Sequence, residues 1–409
     1  MNTNGLAGSA SAGFAGGPSH HASPIGRDRL VRQEVHLGVV REIVPPEQHM
    51  GLQLFPWMEV PTDDVIFEYA RGVADGLAPA RAEDAESELA QKDDIFGGEA
   101  RASVIDWAVK DHYVPSDVSR YREWLDIKEQ LRDTQNLPLT VQTMTGGFSD
   151  KLARDTVKRR RKLDNRLEWL IMTSISTGAI AYNDGKIKFT VPWGRPDAQQ
   201  AMAPSSNPLG VGAFGTAWTQ TTSDPIGDIT KIQQHAFDTY GIRITRAIAS
   251  RKALNATLNS SLFAQRTGIV VPNGSGGIAT GDPRYLVDGW GPQATLAIVQ
   301  QQTSLQFIEY DSVYRSRAVG ASSFTINRFL PENRIIFLPD EADINEFDET
   351  GLGMGRMLTS PHPAGNWTPG FYAWEKEFGA DPWGLDMGTG VKAFPVFPHM
   401  EYSYTLDVF

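Results

Sequence analysis

The residue types that perform catalysis or bind metals do not form a recognisable site in this sequence. No cysteine occurs among the 409 residues, which excludes thiolate nucleophiles, thiolate zinc sites and disulfides. His20 and His21 are adjacent, but two neighbouring side chains cannot close a metal site, and the other histidines are dispersed. The phosphate-binding, zinc-protease, serine-hydrolase and dinucleotide motifs are absent. The sequence therefore predicts no catalytic residue, no cofactor site and no metal site.

Three further segments can each be interpreted either as a ligand-binding site or as an ordinary structural feature. Acidic residues crowd positions 340–346, but the Gly and Glu that a calcium loop requires are missing, which favours a solvated acidic loop. The glycine run at 351–355 lacks the helix that a phosphate-binding loop needs, which favours an ordinary loop. The C-terminal third is rich in aromatic residues: Trp367, Tyr372, Trp374 and Trp383. They could stack on a sugar or a base, although anchoring an irregular segment to a core or to a subunit interface is commoner.

The one dense basic cluster lies at residues 158–162, with the sequence KRRRK. Five consecutive residues of a helix point all round its axis, so only part of this cluster can face a single partner. Nucleic-acid contact and a salt-bridged helix surface are both open interpretations. The formal net charge of −11 favours salt bridges or inward contacts over specific DNA contacts.

The amino-acid composition indicates that the chain can bury a large hydrophobic core. The sequence is 41% hydrophobic and 21% charged, and its length predicts two or three domains. No run approaches the roughly 20 apolar residues that cross a bilayer, and no basic segment is followed by an apolar one at the N-terminus. We therefore expect a soluble, unexported protein without a membrane partner.

The N-terminal third is organised unusually for a single globule. Residues 1–26 are rich in Gly, Ala and Ser and predict a flexible tail, and the prolines of 27–63 predict an extended arm. Residues 65–70 and 102–111 both alternate between apolar and polar types, which indicates two strands of a long hairpin. The acid-rich residues 71–100 would join them as a surface or functional loop.

The remainder of the chain predicts an α+β fold. Helical spacing of apolar residues runs over 149–177, and a hairpin turn at 183–185 follows it. A second helix is predicted from Asp224-Pro225 to Gly241, and strands and helices then alternate over 242–338 around a smaller core. The alternation near the C-terminus predicts a final strand.

These elements leave apolar faces uncovered within one chain. The arm and the hairpin have too few neighbours to bury the large side chains that alternate along them. Such faces and sheet edges become stable when another copy covers them, so the sequence predicts an assembly subunit. The predicted inter-subunit contacts are Phe67, Tyr69, Ile105 and Trp107.

The order of these elements resembles the major capsid proteins of tailed bacteriophages, specifically the lambda-type major head protein family. The resemblance is carried by the segments LFPWMEVPTDDVIFEYA, RRRKLDNRLEWLIMTSISTGAIAYNDGKIKFTVPWGRP, FLPENRIIFLPD and EKEFGADPWGLDMGTGVKAFPVFPHMEYSY, and it covers most of residues 30–409. It implies the Hong Kong 97-like capsid fold. The implied divisions are an N-terminal arm (27–63), an extended loop (64–112), a peripheral domain (113–198) with a spine helix (149–177), an axial domain (199–340), and a return to the peripheral domain with a C-terminal strand (341–409).

The resemblance also implies a function without catalysis. Such a subunit self-assembles into pentamers and hexamers that form an icosahedral head shell around double-stranded DNA. The implied partners are further copies of the chain, a scaffolding protein, a portal and, as a further candidate, a decoration protein. The implied location is the virion capsid, after assembly in the cytoplasm of the host bacterium. Three alternatives stay open: an encapsulin-like compartment shell, another phage structural protein, and a carbohydrate-binding or hydrolytic protein.

Overall fold

The structure is a computed structural model that describes residues 33–71, 96–114, 116–117, 148–183, 187–203, 208–210, 216–220, 222–258, 271–272, 278–279, 296–317, 323–348, 351–378 and 384–409. The helices are α1 (Gln33–Glu42), α2 (Gly51–Leu54), α3 (Phe148–Thr177), α4 (Pro225–Tyr240), α5 (Arg251–Leu258) and α6 (Glu341–Phe347). Residues 296–303 are also helical. Single 3-10 turns lie at Asp197–Gln199, Pro363–Gly365 and Met400–Tyr402.

Seventeen strands accompany these helices in the described residues. They are β1 (Trp57–Glu59), β2 (Asp64–Arg71), β3 (Phe96–Ser103), β4 (Asp106–Tyr113), β5 (Ala179–Asn183), β6 (Lys188–Pro192), β7 (Ile244–Ala249), β8 (Val271–Pro272), β9 (Ile278–Ala279), β10 (Gln306–Glu309), β11 (Val313–Ser316), β12 (Thr325–Arg328), β13 (Arg334–Pro339), β14 (Arg356–Thr359), β15 (Phe371–Phe378), β16 (Gly384–Val396) and β17 (Tyr404–Asp407). The mixture of helices and sheets confirms the predicted α+β class.

The long helix α3 organises the molecule. Its 30 residues span about 45 Å at 1.5 Å per residue, and they confirm the predicted helix to within one residue at its start. Leu163, Leu167 and Leu170, at helical spacing, are fully or almost fully buried. The helix ends at Gly178, whose positive φ of 66° suits glycine and whose N–H bonds the carbonyl of Ser174 at 2.8 Å.

Sheet 1 is built around the long strand β16. Its order is β1-β14-β16-β15, and β4 also pairs with β16. Both β4 and β15 run antiparallel to the first part of β16, and β14 pairs with its last four residues. Along β4 the predicted alternation is present, because Trp107 and Val109 are half-buried whereas Ala108 and Lys110 are exposed. The inner face of this sheet packs on α3 in the first hydrophobic core.

Sheet 2, in the order β10-β7-β13-β17, is buried on both faces. In β13, Ile335 and Phe337 lie in the second core, whereas Ile336 and Leu338 lie in the first core with α3. Successive side chains of a strand point to opposite faces, so a continuous apolar run marks a strand that is covered on both sides. Helices α4 and α5 cover the face opposite α3.

The predicted caps are confirmed for two helices that cover sheet 2. Asp224 precedes α4, and its carboxylate accepts the N–H of Gly227 at 3.0 Å, while Gly241 ends the helix with a φ of 69°. Ser250 precedes α5, and its Oγ accepts the N–H of Ala253 at 3.1 Å. The predicted hairpin after α3 is also confirmed as β5 and β6, with residues 184–186 outside the described part.

The prediction that residues 65–70 and 102–111 form one hairpin is wrong in its second strand. Strand β2 pairs with β3, with Phe67 opposite Ala100 and Tyr69 opposite Gly98. Residues 106–113 form β4 and belong to sheet 1. Pattern analysis missed β3 because its sequence, FGGEARAS, contains two glycines and no alternation of large apolar residues.

The prediction that the last strand returns to the peripheral part is wrong in its pairing. Strand β17 pairs with β13 of sheet 2, inside the predicted axial unit 199–340. Tyr404 and Leu406 are fully buried in the second core. Strands β14, β15 and β16 of the same C-terminal stretch lie in sheet 1. Alternation identifies the buried face of a strand but not the sheet whose edge it joins.

The N-terminal segments are described only in part. The extended conformation expected of the arm does not hold for residues 33–42, which form α1 with Leu37 and Val40 buried against the first core. The predicted tail 1–26 and most of the predicted acidic loop 71–100 lie outside the described residues. Within the described ranges, no helix combines the length and the apolar character of a membrane span.

Candidate inter-subunit surface

Two of the four predicted contact residues, Ile105 and Trp107, pack within their own chain. Both are half-buried against the first core. The indole Nε1 of Trp107 donates to the carbonyl of Ala393 at 2.9 Å, and its ring meets that of Tyr182 edge-on at 5.3 Å between centroids. These contacts tie β4 to β16 and β5. The inter-subunit role of Ile105 and Trp107 stays a prediction, and Trp107 also has a clear intramolecular role.

The other two predicted contact residues lie on a separate element. Phe67 and Tyr69 belong to β2, which among the described strands pairs only with β3. In the register of this two-stranded ribbon, Phe67 lies opposite Ala100 and Tyr69 opposite Gly98. The structure therefore assigns Ile105 and Trp107 to the first core beside sheet 1, and Phe67 and Tyr69 to the two-stranded ribbon.

The basic cluster at 158–162 divides between the core and the surface. Arg159 is fully buried, and its guanidinium donates to Asp111 at 2.7 Å and to the Tyr113 hydroxyl at 3.3 Å. Arg160 is also buried, pairs with Asp164 and stacks over the Phe371 ring at 3.2 Å. These contacts agree with the prediction of salt bridges and inward contacts for these two arginines.

The rest of the cluster is exposed. Lys158 reaches Asp155 at 3.2 Å, and Arg161 and Lys162 face solvent. Lys162 also lines the groove described next, which Lys158 and Arg161 do not line.

A groove with a volume of about 650 Å³ lies between four elements of the chain. We call it the Arg166 groove. Strand β4 contributes Trp107, Ala108 and Val109, and α3 contributes Lys162, Leu163, Asn165, Arg166 and Trp169. Strand β5 contributes Ala181, Tyr182 and Asn183, and β11 contributes Tyr314, Arg315 and Ser316. None of these lining residues is acidic.

Three cations line the Arg166 groove. The Arg166 guanidinium lies 5.4, 5.2 and 5.1 Å from the ring centroids of Trp107, Trp169 and Tyr182. Within the described part of the chain, the side chains of Lys162, Arg166 and Arg315 have no carboxylate partner. The groove thus offers three cations and aromatic walls to a ligand. Sequence analysis missed it because its residues come from four separated segments, and the one local signal was the i, i+4 spacing of Lys162 and Arg166.

Next to this groove, the ribbon of β11 and β12 exposes apolar side chains. Val313 is 45% exposed, Ile326 64% and Phe324 61%. Arg315 pairs in register with Ile326, so the face mixes arginine with apolar surface. Arginine and large apolar residues together are typical of protein interfaces. This ribbon extends the candidate inter-subunit surface beyond the groove.

A buried carboxylate of α3 joins the N-terminal segment to the residue that follows β10. Glu168 of α3 accepts hydrogen bonds from the backbone N–H groups of Met50 and Gly51, at 3.0 and 2.9 Å, and from the Tyr310 hydroxyl at 2.6 Å. Burial raises the pKa of Glu168, which these hydrogen bonds partly oppose. The position of Glu168 between three elements identifies it as a structural junction.

The weak chemical signals of the sequence have structural explanations. In the segment 340–346, Asp340 caps α6 by accepting the N–H of Ala342 at 3.0 Å, and Asp343 pairs with Arg243. These contacts use the carboxylates that a calcium loop would need. In the described ranges, no three His, Asp or Glu side chains gather as a metal site.

The aromatic residues of the C-terminal third do not form one surface. Tyr372 is buried and Trp374 half-buried, whereas Trp367 is 71% exposed and Trp383 lies outside the described residues. Among the described members, Trp367 alone remains available for a partner. Tyr372 and Trp374 therefore do not belong to an exposed surface on which a sugar or a base could stack.

Comparisons with known proteins give one family. The family model described as phage major capsid protein E matches residues 38–347. A search of the curated proteins found no match. Among solved structures, a protein assigned as the capsid protein of a prophage of E. coli CFT073 is 14% identical, with a TM-score of 0.46, over 76% of this chain and 80% of the other.

Two further solved structures are similar over most of their length. A phage-related protein from Bordetella bronchiseptica RB50 is 14% identical, with a TM-score of 0.46, over 91% of this chain and 96% of the other. A chain of Mycobacterium phage Bobi is 10% identical, with a TM-score of 0.40, over 90% of this chain and 92% of the other.

Proposed function

We infer that this protein is a shell-forming structural subunit of a phage head, because the chain belongs to the phage major capsid protein E family. The match spans residues 38–347, which include the second half of α1, all of α2 and α3, and three of the four strands of sheet 2. The resemblance drawn from the sequence is thereby confirmed for the family, and the α+β capsid fold that it implied is confirmed with it. The encapsulin-like alternative has less support, since the matching family is one of phage capsids.

The finer function that we propose is assembly into pentamers and hexamers of a closed icosahedral shell. In this proposal the shell encloses double-stranded DNA without sequence-specific contacts, and assembly takes place in the bacterial cytoplasm with a scaffolding protein and a portal. A decoration protein is a further candidate partner. We propose no enzymatic activity, in keeping with a structural family and with a sequence that lacks catalytic motifs.

The observation that supports assembly most directly is the ribbon of β2 and β3. Eight residue pairs hold its strands together, and no third described strand covers either edge. An isolated two-stranded ribbon is marginally stable in water, so a neighbouring subunit is the natural cover. This supports the prediction that Phe67 and Tyr69 contact another copy.

Assembly is tested with the purified protein, alone and co-expressed with the neighbouring open reading frames. We expect closed shells, tubes or capsomer rings in negative-stain electron microscopy, with matching fast-sedimenting species. A monomer under every condition would contradict the proposed function.

The contact residues are tested by comparing substitutions on the two elements. We expect Phe67→Ser with Tyr69→Ser to reduce the assembly yield while leaving the urea midpoint of the unassembled subunit unchanged. Trp107→Ala should instead lower the free energy of unfolding of the subunit by about 3 kcal/mol, because it removes a core side chain and a hydrogen bond. An unchanged assembly yield in the ribbon variant would show that the ribbon makes no essential contact.

A further inference from the structure

We propose that the Arg166 groove binds a nucleotide that is not base-paired. Lys162, Arg166 and Arg315 contact its phosphate groups, and its base packs against the aromatic rings that line the groove. The ligand is thus a planar base that carries phosphate, either as a free nucleotide or within a single strand of nucleic acid. This site goes beyond the proposed function, because it belongs to one subunit and does not require a shell.

The groove gathers cations that have no acceptor in the described part of their own chain. Among the described residues, the side chains of Lys162, Arg166 and Arg315 have neither a carboxylate partner nor a hydrogen-bond acceptor. Lys162 and Arg315 are exposed, whereas Arg166 is half-buried. Like charges that share one groove repel each other, and a bound anion offsets this repulsion. The planar guanidinium groups also match the geometry of phosphate oxygens.

Three carboxylates lie next to lining residues in the described sequence, and each has another partner. Asp106 accepts a hydrogen bond from the Tyr372 hydroxyl, and Asp164 pairs with Arg160. Glu168 is bound by the N-terminal segment and by the residue that follows β10. These carboxylates are therefore committed to other contacts, which leaves the anion to come from a ligand.

Aromatic rings form much of the wall of the groove. Trp107, Trp169, Tyr182 and Tyr314 line it, and each of them is half-buried. The Arg166 guanidinium lies 5.4, 5.2 and 5.1 Å from the centroids of the first three rings, so cation–π contacts hold it in place. Cations beside aromatic rings are typical of sites for unpaired nucleotides, because every base has a face that stacks on a ring or a guanidinium. An acidic peptide would use the cations but not the rings, so the rings favour a base.

The size of the groove fits an unpaired nucleotide rather than a duplex. Its volume of about 650 Å³ lies in the range of pockets that enclose small molecules. Asn165, Asn183 and Ser316 complete the lining, and amide and hydroxyl groups can hydrogen-bond to the edges of a base. In a duplex the faces of the bases are covered by their stacked neighbours, so a paired base cannot reach the aromatic wall.

Binding is tested with the unassembled full-length subunit and a fluorescein-labelled tetranucleotide of deoxythymidine, followed by fluorescence anisotropy at about 0.15 M salt. We expect a Kd below about 100 μM, which is tighter than the weak end of non-specific binding. The logarithm of the affinity should fall with the logarithm of the salt concentration with a slope of about −2, because each of three cations contributes about −0.7 on a single strand. A Kd above this limit would overturn the proposal.

The location of the site is tested with two variants that lose the same charge. The test variant removes the three lining cations: Lys162→Gln, Arg166→Gln and Arg315→Gln. The control variant removes three exposed cations that do not line the groove: Lys158→Gln, Arg161→Gln and Lys376→Gln. We expect binding to weaken at least tenfold in the test variant and less than twofold in the control variant. Equal losses in the two variants would show that binding does not take place in the groove.

A single substitution separates binding from folding, since Arg166 also packs on the rings of its own chain. Arg315 is exposed on β11, so Arg315→Gln should weaken binding at least threefold while leaving the urea midpoint unchanged. Unchanged binding in this variant would contradict the contact between Arg315 and phosphate on which the proposal depends.

Competing ligands test the chemistry of the site. An abasic tetranucleotide has the same phosphates without the bases, and a tetraglutamate peptide has carboxylates instead. Both should displace the labelled strand at least tenfold less well than the unlabelled tetranucleotide does. A 30-base-pair duplex, compared per phosphate, should also be at least tenfold less effective. Equal displacement by any of these three ligands would refute a site for an unpaired base that carries phosphate.

The source of the nucleotide is identified with deoxythymidine triphosphate as a further competitor. Displacement at the concentration that the unlabelled tetranucleotide needs would identify a free nucleotide as sufficient, and a tenfold higher requirement would identify a strand. Both results support the same chemistry. A lack of displacement by the unlabelled tetranucleotide itself would trace the signal to the dye and would sink the inference. The proposed function would survive that result, since assembly is scored separately by electron microscopy.

Discussion

Several side chains of this protein take part in buried networks of charge and hydrogen bonds. Arg159 shows the principle, since its guanidinium is enclosed by α3, β4 and β16 and donates to Asp111, Tyr113 and Thr156. A guanidinium buried in this way stabilises a fold only while its partners remain, because an unpaired buried charge is costly. The neighbouring Lys158 makes an ion pair in solvent, which contributes little.

The contrast between buried Arg159 and exposed Lys158 predicts that substituting them changes the free energy of unfolding by different amounts. Arg159→Met should lower the free energy of unfolding by about 3 kcal/mol, because Asp111 and the Tyr113 hydroxyl lose their donor. Lys158→Met should change it by less than about 0.5 kcal/mol. Urea denaturation of the unassembled subunit measures both. Equal effects of the two substitutions would show that the Arg159 network does not contribute to stability.

A second residue-scale prediction concerns pH. Burial, and then the charge of Arg159, lower the pKa of His36 to about 4, from an ordinary value of 6.5. Between these two values the unfolded chain binds a proton that the folded chain does not. His36 therefore contributes stability that is present above pH 6.5 and is lost as the pH falls through this window, by at most about 1.4 kcal/mol per pH unit.

This pH effect is measured by comparing urea denaturation of the wild type and His36→Gln at pH 7, 6 and 5. We expect the wild type to lose more stability than the variant as the pH falls. Glu168, with its raised pKa, acts in the opposite direction, since its contribution is lost as the pH rises through the folded-state pKa. It is present in both proteins, so the difference between them isolates His36. If the wild type and His36→Gln lost the same stability as the pH falls, the assignment of this pH effect to His36 would be contradicted.

At the scale of elements, the limits of helices could be predicted from the sequence, whereas the pairing of strands could not. The limits of α3 and α4 follow from apolar spacing and from caps such as Asp224 and Gly241, all within a few residues. The partner of β2 and the sheet that β17 joins depend on contacts between distant segments. Alternation specifies the face of a strand but says nothing about its neighbour. The Arg166 groove escaped prediction for the same reason.

The centre of sheet 1 depends on a glycine that makes room for an aromatic ring. A β carbon at Gly388 of β16 would overlap the Trp374 ring on the paired strand β15. Gly388→Ala should therefore lower the free energy of unfolding by about 2 kcal/mol through overpacking. At Gly38, inside α1, a β carbon meets nothing within 4 Å, and Ala should stabilise the helix by about 0.5–1 kcal/mol. Thermal denaturation of both variants measures the difference, and a neutral Gly388→Ala would show that β15 can shift at little cost.

At the scale of the whole molecule, the two cores are joined where α3 ends. Arg195 donates to the carbonyl of Ile175 at 2.7 Å and to Ser403, and Arg334 donates to the carbonyl of Ser176 at 3.2 Å while pairing with Asp407. Cations at a helix C-terminus satisfy its free carbonyls and its dipole. The end of α3, sheet 2 and the C-terminal strand are therefore fixed together, which suits a subunit that transmits contacts across a shell.

The distribution of charge over the molecule leads to a prediction about DNA. The chain carries a net charge of −11, and two of the five residues of the basic cluster are buried in ion pairs. Too few cations then remain on that surface to neutralise several phosphates, which is the source of non-specific DNA affinity. In the DNA-filled shell that we propose, an acidic subunit would leave the DNA free to move along the inner wall, where tight phosphate binding would hinder its entry.

We expect the unassembled subunit to bind a 30-base-pair duplex with a Kd above about 100 μM at about 0.15 M salt, the weak end of non-specific binding. The variant Lys158→Gln, Arg161→Gln, Lys162→Gln should differ by less than twofold in fluorescence anisotropy. Salt-sensitive binding below about 1 μM that this variant loses would identify the exposed part of the cluster as a DNA-binding surface. In that case the positive charge of α3 would serve the packaged genome rather than the contacts between subunits.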